Sequence, residues 1–476
     1  MGKTKAKREY PLDGKTTFGL STMRWTITAA MSLTTTAFLL YLTDYSGIGA
    51  AAATVGTILL LAGRLFDAFD DPLQGWIMDN APRTKIGRYK PFMLGGVVVC
   101  TTALILLFNI PRNVSLAVKI VWLSVAYLLY EIGYSFQPAD PIKYSLSPDP
   151  KIRERILVVP RVVEQIVAVP FSFFLTLALA LGGSLGDAGK GISLSVILVT
   201  VPMMIMSFVG TLLVREGHVT QQSESVGFRD ILAMLKINKP LLVMAITGLI
   251  GLAFPFIMAS AVYYIKWAFG PENLGTNSAI WGAVILLGII TGTIIAPKLL
   301  KQTIPMKGVI ICNLANAAPL AVLYVLSLLG FRNPIVFFGF MFLAMTAAGM
   351  SYIPGTVLAM EVMDYSLHRT GKGMQGIIQA IRNFLEKTQS AMSSTVTGAV
   401  LIAVGYVVND AGDYVGTAPV ESLLSGLLLV CMLIPAILSV LSAGIYHFFY
   451  PLKGAVRDQM YAHLGESREQ NLPERV

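Results

Sequence analysis

The sequence predicts an all-α membrane protein of about twelve transmembrane helices. Its 476 residues are 55% hydrophobic and only 13% charged, and the mean hydropathy is +0.67. Apolar runs long enough to cross a hydrocarbon core, which takes about 20 residues, recur from Trp25 to Phe448 with short breaks. Basic residues collect in alternate loops, as they do on the cytoplasmic side of a membrane.

The apolar runs give the helices in order. We predict spans at 25–43, 51–71, 92–110, 116–145, 156–182, 190–214, 241–266, 277–299, 306–330, 334–360, 376–406 and 421–448. The first run lacks a small-residue cleavage site, so we interpret it as a retained helix rather than a signal peptide. The three cysteines, Cys100, Cys312 and Cys431, all fall within spans. Their scatter predicts neither a metal site nor a disulfide framework.

The net charge of +9 does not indicate nucleic-acid binding, because of where the charges lie. Lys and Arg concentrate before span one and after spans two, four and ten, whereas the intervening loops are poorer in basic residues and carry several acids. The positive-inside rule then predicts that both termini are cytoplasmic. We expect a multi-pass protein of the inner cell membrane.

The longest polar break divides six predicted spans from six. It predicts a first bundle at 1–214, a cytoplasmic linker at 215–240, a second bundle at 241–450 and a cytoplasmic tail at 451–476. Apolar residues of the linker fall on one helical face beside basic residues, which predicts a short helix on the membrane surface. A plain connecting loop is the alternative.

Helix two carries charged residues that a membrane span normally excludes. Arg64, Asp67 and Asp71 are spaced i, i+3, i+7, which places all three on one helical face. Two ionised carboxylates one turn apart repel, and a bound monovalent cation or a shared proton relieves that repulsion. We therefore predict a cation site at Asp67 and Asp71. A purely structural cluster at a helix end is the alternative.

Helix four combines prolines with polar side chains. Gln137, Asp140 and Tyr144 share a face, and the two prolines that flank Asp140 should kink the helix and free backbone carbonyls. An amide, a carboxylate and a phenol would thus converge on a cavity. Alternatively, Asp140 pairs with Lys143.

Further charges lie in or near other spans. In helix eleven, Arg382 and Glu386 are spaced i, i+4 and could form an ion pair. Lys387 falls on a different face of that helix and is therefore a functional candidate. Glu131 and Arg24 are intramembrane or interfacial charges that spacing does not pair. No metalloprotease, P-loop or nucleophile motif occurs in a suitable context, so we predict neither an enzyme nor a bound cofactor.

Residues 64–79, RLFDAFDDPLQGWIMD, and 87–92, GRYKPF, resemble the glycoside-pentoside-hexuronide:cation symporters, the melibiose permease-like family of the major facilitator superfamily. The resemblance covers both halves. It continues at 153–155 with 160–161, at 263–264, at 363–365 with 370–371, and at Lys387.

The resemblance implies a fold of twelve transmembrane helices in two six-helix bundles, and secondary active symport of a sugar, glycoside or uronide coupled to Na⁺ or H⁺. It implies that the cation, Na⁺ if the protein is sodium-coupled, binds at Asp67, Asp71, Gln137 and Asp140, with Gln137 in place of a hydroxyl residue. The implied substrate site consists of Asp140, Tyr144, Arg161 and Lys387, with Tyr144 in place of a stacking Trp.

Helix one departs from the family pattern. Where the family has an acid that contacts sugar hydroxyls, this chain has the region of Thr22 and Arg24. Arg24 therefore becomes a candidate substrate contact, and an anionic solute such as a uronide or sulfo-sugar becomes plausible. We assign gating to Arg64, Asp79, Arg88 and Asp364; for the segment from Asp79 to Lys90, attraction of its lysines to the membrane surface is an equal alternative.

We expect the protein to act as a monomer, with a small solute and membrane lipid as its partners. Two other functions are considered. A lysolipid or other amphipathic-solute carrier of the same fold would favour apolar cavity walls over these charges. A non-transporting membrane sensor should carry a signalling domain.

Overall fold

The computed structural model describes residues 13–139, 142, 146, 163, 167, 171, 173–216, 236–251, 253–300, 303–370, 375–409 and 413–460. Inside two long helices, the side chains of several residues lie outside this description, among them Arg64, Asp67, Asp71, Asp79 and Lys387. The chain forms two compact units. One comprises Met1–Ser225 with Gly405–Thr417, and the other Val226–Val404 with Ala418–Val476.

The first unit is mainly helical in its described part. Its helices are α1 (Gly14–Thr22), α2 (Trp25–Leu33), α3 (Ala52–Asn80), α4 (Lys90–Leu107), α5 (Leu116–Ser135), α6 (Phe174–Leu185) and α7 (Ala188–Leu213). After α2, helix one continues through two π-helical segments, Thr34–Phe38 and Tyr41–Tyr45. Such segments are frequent at functional sites.

Close helix contacts in the first unit depend on small residues. A Cβ at Gly133 of α5 would lie 2.4 Å from the backbone nitrogen of Cys100 in α4, and one at Gly96 would lie 2.3 Å from the carbonyl oxygen of Phe136. Only glycine therefore lets α4 and α5 approach this closely. The buried rings of Phe38 in helix one and Tyr127 in α5 stack with centroids 6.2 Å apart.

The second unit has a similar make-up. Its helices are α8 (Lys239–Ile250), α9 (Ala253–Ala268), α10 (Leu274–Leu299), α11 (Pro305–Leu328), α12 (Pro334–Thr370), α13 (Gln375–Ala403), α14 (Val420–Leu428) and α15 (Ile434–Phe449). A π-helical segment, Leu429–Leu433, joins the last two. Helices α10 and α12 touch at Gly292, where a Cβ would lie 2.0 Å from the Thr346 carbonyl oxygen.

The tail beyond α15 packs onto the second unit. Residues 454–460 are helical, and Met460 is 1% exposed within a cluster that includes Tyr450 and Leu358. Arg457 pairs with Glu361 of α12, with both Nε and Nη2 2.7 Å from Oε1. The described start of the predicted tail is therefore a docked helical turn.

The all-α membrane prediction is confirmed. Each predicted span overlaps a helix, and eight helical segments of the described chain are long and apolar enough to cross a membrane by length and composition. Within the described ranges, extended pairing is limited to two isolated bridges, Thr84 with Gly87 and Val408 with Tyr414. The second bridge lies in the loop Gly405–Thr417, where the Tyr406 hydroxyl donates to Asp44 Oδ2 over 3.1 Å.

Candidate functional site

Helix α3 positions the predicted cation site. It runs unbroken from Ala52 to Asn80, beyond the predicted end at residue 71, because Pro72 is accommodated without ending the helix. Positions 64, 67 and 71 consequently lie well inside a helix and share a face, as the spacing predicts. The side chains of these residues lie outside the described set, so their role as ligands stays a prediction.

Asp70 of α3 is a buried acid with a hydrogen-bond partner. The residue is 8% exposed and accepts a hydrogen bond from the amide of Gln74, one turn later on the same helix. The acid beside the predicted ligands thus has a partner within α3 itself.

Gln137 lies just beyond the end of α5. The prolines were predicted to kink the helix within span four, whereas α5 already ends at Ser135, with Phe136 as its C-cap. The Gln137 side chain is 6% exposed, and its Nε2 donates to the Gly133 carbonyl over 2.9 Å. Its Oε1 is buried and accepts no hydrogen bond from any described group. An amide oxygen in that state is a suitable cation ligand.

Asp140, Tyr144 and Arg161 lie outside the described residues. Their assignment to cation and substrate binding is therefore untested and stays a prediction. Among the side chains that the structure describes, no group of three or more His, Cys, Asp or Glu could hold a metal ion. The side chains of Asp67 and Asp71 are not among those described.

Arg24 lies at a break in helix one. It separates α1 from α2 and is half-buried. Ser207 of α7 bridges the break, because its hydroxyl donates to the Thr22 carbonyl over 3.2 Å and accepts from the Thr26 backbone N–H over 2.9 Å. Sequence analysis found Arg24 but not this interruption, since the bridging residue lies 181 residues from Thr26 along the chain.

The predicted gating segment is anchored by a residue that sequence analysis did not identify. The Glu216 carboxylate accepts backbone N–H groups of Arg88, Tyr89 and Lys90 over 2.8, 3.0 and 3.2 Å. These groups open α4, where a helix N-terminus favours a negative charge. A Cβ at Gly87 would lie 2.1 Å from Glu216 Oε2, so a side chain there would displace the carboxylate.

The remaining predicted residues are placed individually. Asp79 is in the last turn of α3 and Lys387 is within α13, both with undescribed side chains. Asp364 is half-buried near the end of α12 in the second unit. The described contacts thus join the Arg88 backbone to Glu216 within the first unit. Of the predicted substrate residues, Arg24 has a described side chain.

Comparison with known proteins gives a family match over most of the chain. The sequence model of the family described as MFS/sugar transport protein matches residues 21–454. An isoprimeverose transporter of Lactiplantibacillus pentosus is 26% identical over 83% of this chain and 81% of its own length. A glucuronide carrier protein homolog of Escherichia coli K12 is 24% identical over 78% of this chain and 79% of its own.

Solved structures show the same fold. The xylose transporter of Escherichia coli, in a partially occluded inward-open conformation, superposes with a TM-score of 0.62 at 11% identity, covering 92% of this chain and 99% of that chain. At this identity the likeness concerns the fold alone.

Proposed function

The chain belongs to the MFS/sugar transport family, and we propose that it is a cation-coupled symporter that carries a sugar, glycoside or uronide-like solute across the inner membrane. Membership of this family makes it a multi-pass membrane transporter rather than an enzyme. The match over residues 21–454 carries the proposal, and relatives that span most of the chain are named for an isoprimeverose and a glucuronide.

The proposed coupling site is the face of α3 that bears Asp67 and Asp71. A monovalent cation, Na⁺ or H⁺, relieves the repulsion between these carboxylates. The buried Oε1 of Gln137, which accepts no hydrogen bond from a described group, supports an oxygen ligand close to the end of α5. Asp140 completes the proposed set of cation ligands.

The proposed substrate site consists of Arg24, Asp140, Tyr144, Arg161 and Lys387. Three of these residues are basic, which favours an anionic solute such as a uronide. Cation binding lowers repulsion and raises solute affinity; by linkage, the solute raises cation affinity by the same factor. The two bundles then alternate access around the site as a functional monomer, with Arg64, Asp79, Arg88 and Asp364 in the gates and both termini in the cytoplasm.

Uptake into membrane vesicles tests this function. Isoprimeverose and a methyl glucuronide are supplied with an inward Na⁺ gradient or an inward H⁺ gradient. We expect at least one solute to accumulate with one of the gradients, and Asp71→Asn to equilibrate the solute without accumulating it. Asp13→Asn is the matched control, because Asp13 is an exposed helix cap whose capping function Asn retains. Accumulation by Asp71→Asn equal to that of the unchanged protein would refute the coupling site.

A further inference from the structure

Glu131 is a buried acid that the proposed cation and substrate sites do not use. It lies in the last two turns of α5 and is 2% exposed. An ionisable residue within a membrane span costs a few kcal/mol on insertion scales and is retained mainly where it has a function. Its neighbours therefore decide what it does.

The Glu131 carboxyl group lies against helix α3 at Gly63. A Cβ added at Gly63 would lie 3.1 Å from Glu131 Oε1 and 2.3 Å from Cε1 of Tyr127. Only glycine allows this approach. Gly63 directly precedes Arg64 and lies one turn before Asp67 on the same helical face. The acid thus faces the helix that bears the proposed coupling site.

The titratable groups that α5 and α4 contribute around Glu131 are weak acids. Its own helix contributes the phenols of Tyr127, Tyr130 and Tyr134, and α4 contributes the buried Cys100 thiol. From α3, Arg64 and Asp67 fall within one turn of the contact. Helix one contributes a hydroxyl, since Thr34 Oγ1 lies 3.3 Å from the Tyr130 hydroxyl.

That hydroxyl contact joins α5 to helix one. Thr34 begins the π-helical segment of helix one and is half-buried, next to an exposed Met31. Tyr130, the residue that precedes Glu131, is 5% exposed. The Tyr130 phenol and the Thr34 hydroxyl are therefore in contact where α5 meets helix one, and both groups can donate and accept a proton.

We propose that Glu131 binds and releases a proton in each transport cycle, so that the coupling ion of this chain includes H⁺. This rests on the proposed symport function. An O–H bond forms on a Glu131 carboxylate oxygen with a proton from water on the outer side. The bond breaks when the proton leaves to water on the cytoplasmic side, and no electron is transferred.

The proposal follows from the chemistry of the surroundings. Low-dielectric surroundings favour the neutral form of a carboxyl group, whereas a nearby fixed cation favours the charged form. Buried phenols and a thiol lie around Glu131, and its carboxyl group contacts α3 at Gly63, the position before Arg64. A change in the contact between α3 and α5 therefore changes how firmly the proton is held.

Infrared spectroscopy tests protonation without any solute. The purified protein is titrated from about pH 5 to pH 9, the range in which buried carboxyl groups titrate, and the carbonyl stretch of a protonated carboxyl group is followed. We expect a band that titrates in the unchanged protein and in Glu361→Gln, and that is lost in Glu131→Gln. Glu361 is the matched control, because it is equally buried and pairs with Arg457. A spectrum that Glu131→Gln leaves unchanged would overturn the proposal.

Transport then tests whether the proton moves. Isoprimeverose or methyl glucuronide is added to vesicles, and alkalinisation of the medium is recorded. We expect Glu131→Gln to lose alkalinisation and accumulation while it still exchanges solute across the membrane, and Glu131→Asp to retain part of both. Alkalinisation that persists in a folded Glu131→Gln overturns this inference and leaves the symport function intact. An absence of solute uptake in the unchanged protein counts against the symport function instead, and the infrared titration still decides whether Glu131 takes up a proton.

Discussion

Each unit of the protein buries a glutamate inside its helices, and the two differ in what surrounds them. Glu131 of the first unit is 2% exposed and Glu361 of the second is 1% exposed. Glu361 is held by Arg457 in the docked tail, whereas Glu131 lies among phenols, a thiol and a glycine of α3. Burial alone therefore does not identify a functional acid. The groups around each acid distinguish the ion pair of Glu361 from the proton site proposed at Glu131.

The largest expected effect on stability comes from breaking the Glu361–Arg457 pair. Arg457→Ala leaves a buried carboxylate without its cation, which typically costs roughly 3–5 kcal/mol. We expect the lower end of that range because Arg457 is 26% exposed. Thermal unfolding of the purified protein in detergent measures the loss.

The double variant Glu361→Gln/Arg457→Ala serves as the control for this pair. It removes both charges, so it should recover much of the lost stability. Arg457→Ala as stable as the unchanged protein would show that the tail is not held by this pair, and the contrast between the two glutamates would disappear.

The second prediction concerns the glycine that admits Glu131. Gly63→Ala places a Cβ 2.3 Å from Tyr127 Cε1, and such overpacking usually costs about 1–3 kcal/mol. It should also alter the infrared band assigned to Glu131, because the same Cβ lies 3.1 Å from Glu131 Oε1. Thermal unfolding and the infrared titration measure the two effects.

Gly95→Ala is the matched control for this substitution. A Cβ there meets no atom within 4 Å, so the change should be neutral or stabilising by up to about 1 kcal/mol through helix propensity. Equal behaviour of the two alanine variants would mean that α3 and α5 have room to separate, and that Gly63 does not define the surroundings of Glu131.

The smallest effect is expected for an acid outside the membrane spans. Arg112 forms a charge-assisted hydrogen-bonded pair with Asp187, and this pairing lowers the pKa of Asp187 to about 2. A carboxyl group with a lowered pKa stabilises the fold above its unfolded pKa of about 3.9. That contribution is lost as the pH falls through about 2.

Asp187→Asn should therefore lower stability at neutral pH by less than about 1 kcal/mol, because exposed pairs are screened by water. The difference from the unchanged protein should shrink as the pH falls from about 4 toward 2. Unfolding midpoints measured across this range provide the check. A difference that stays constant with pH would exclude the ion pair as its cause.

Much of the fold was predictable from the sequence. Every predicted span overlaps a helix, because a run of about 20 apolar residues has no stable conformation in a bilayer other than a helix or a closed barrel. Helix ends were less predictable. The predicted second span ended at residue 71, before Pro72, yet α3 continues to Asn80. Near Pro138 a kink was predicted, whereas α5 ends at Ser135. A proline indicates a lost hydrogen bond, and the surrounding packing determines whether the helix tolerates that loss.

The candidate site was predictable only in part. Sequence spacing identified Asp67 and Asp71 as costly acids on one face, and Gln137 as an oxygen beside a proline break. It identified Glu131 as a charge without finding its surroundings, and it missed Glu216. Spacing along one helix relates residues three or four positions apart, and these contacts join positions far apart in the chain.

The sequence by itself determined that the chain resides in a membrane, and it located the charged positions within the spans, because hydropathy and the cost of intramembrane charge are local properties. Tertiary structure alone decided which groups surround each buried acid. Glu361 and Arg457 lie 96 positions apart, and Glu216 and Arg88 lie 128 apart. The contact of Glu131 with Gly63 likewise exists only once α3 and α5 pack together. Whether a buried carboxyl group is charged depends on these neighbours rather than on its position in the chain.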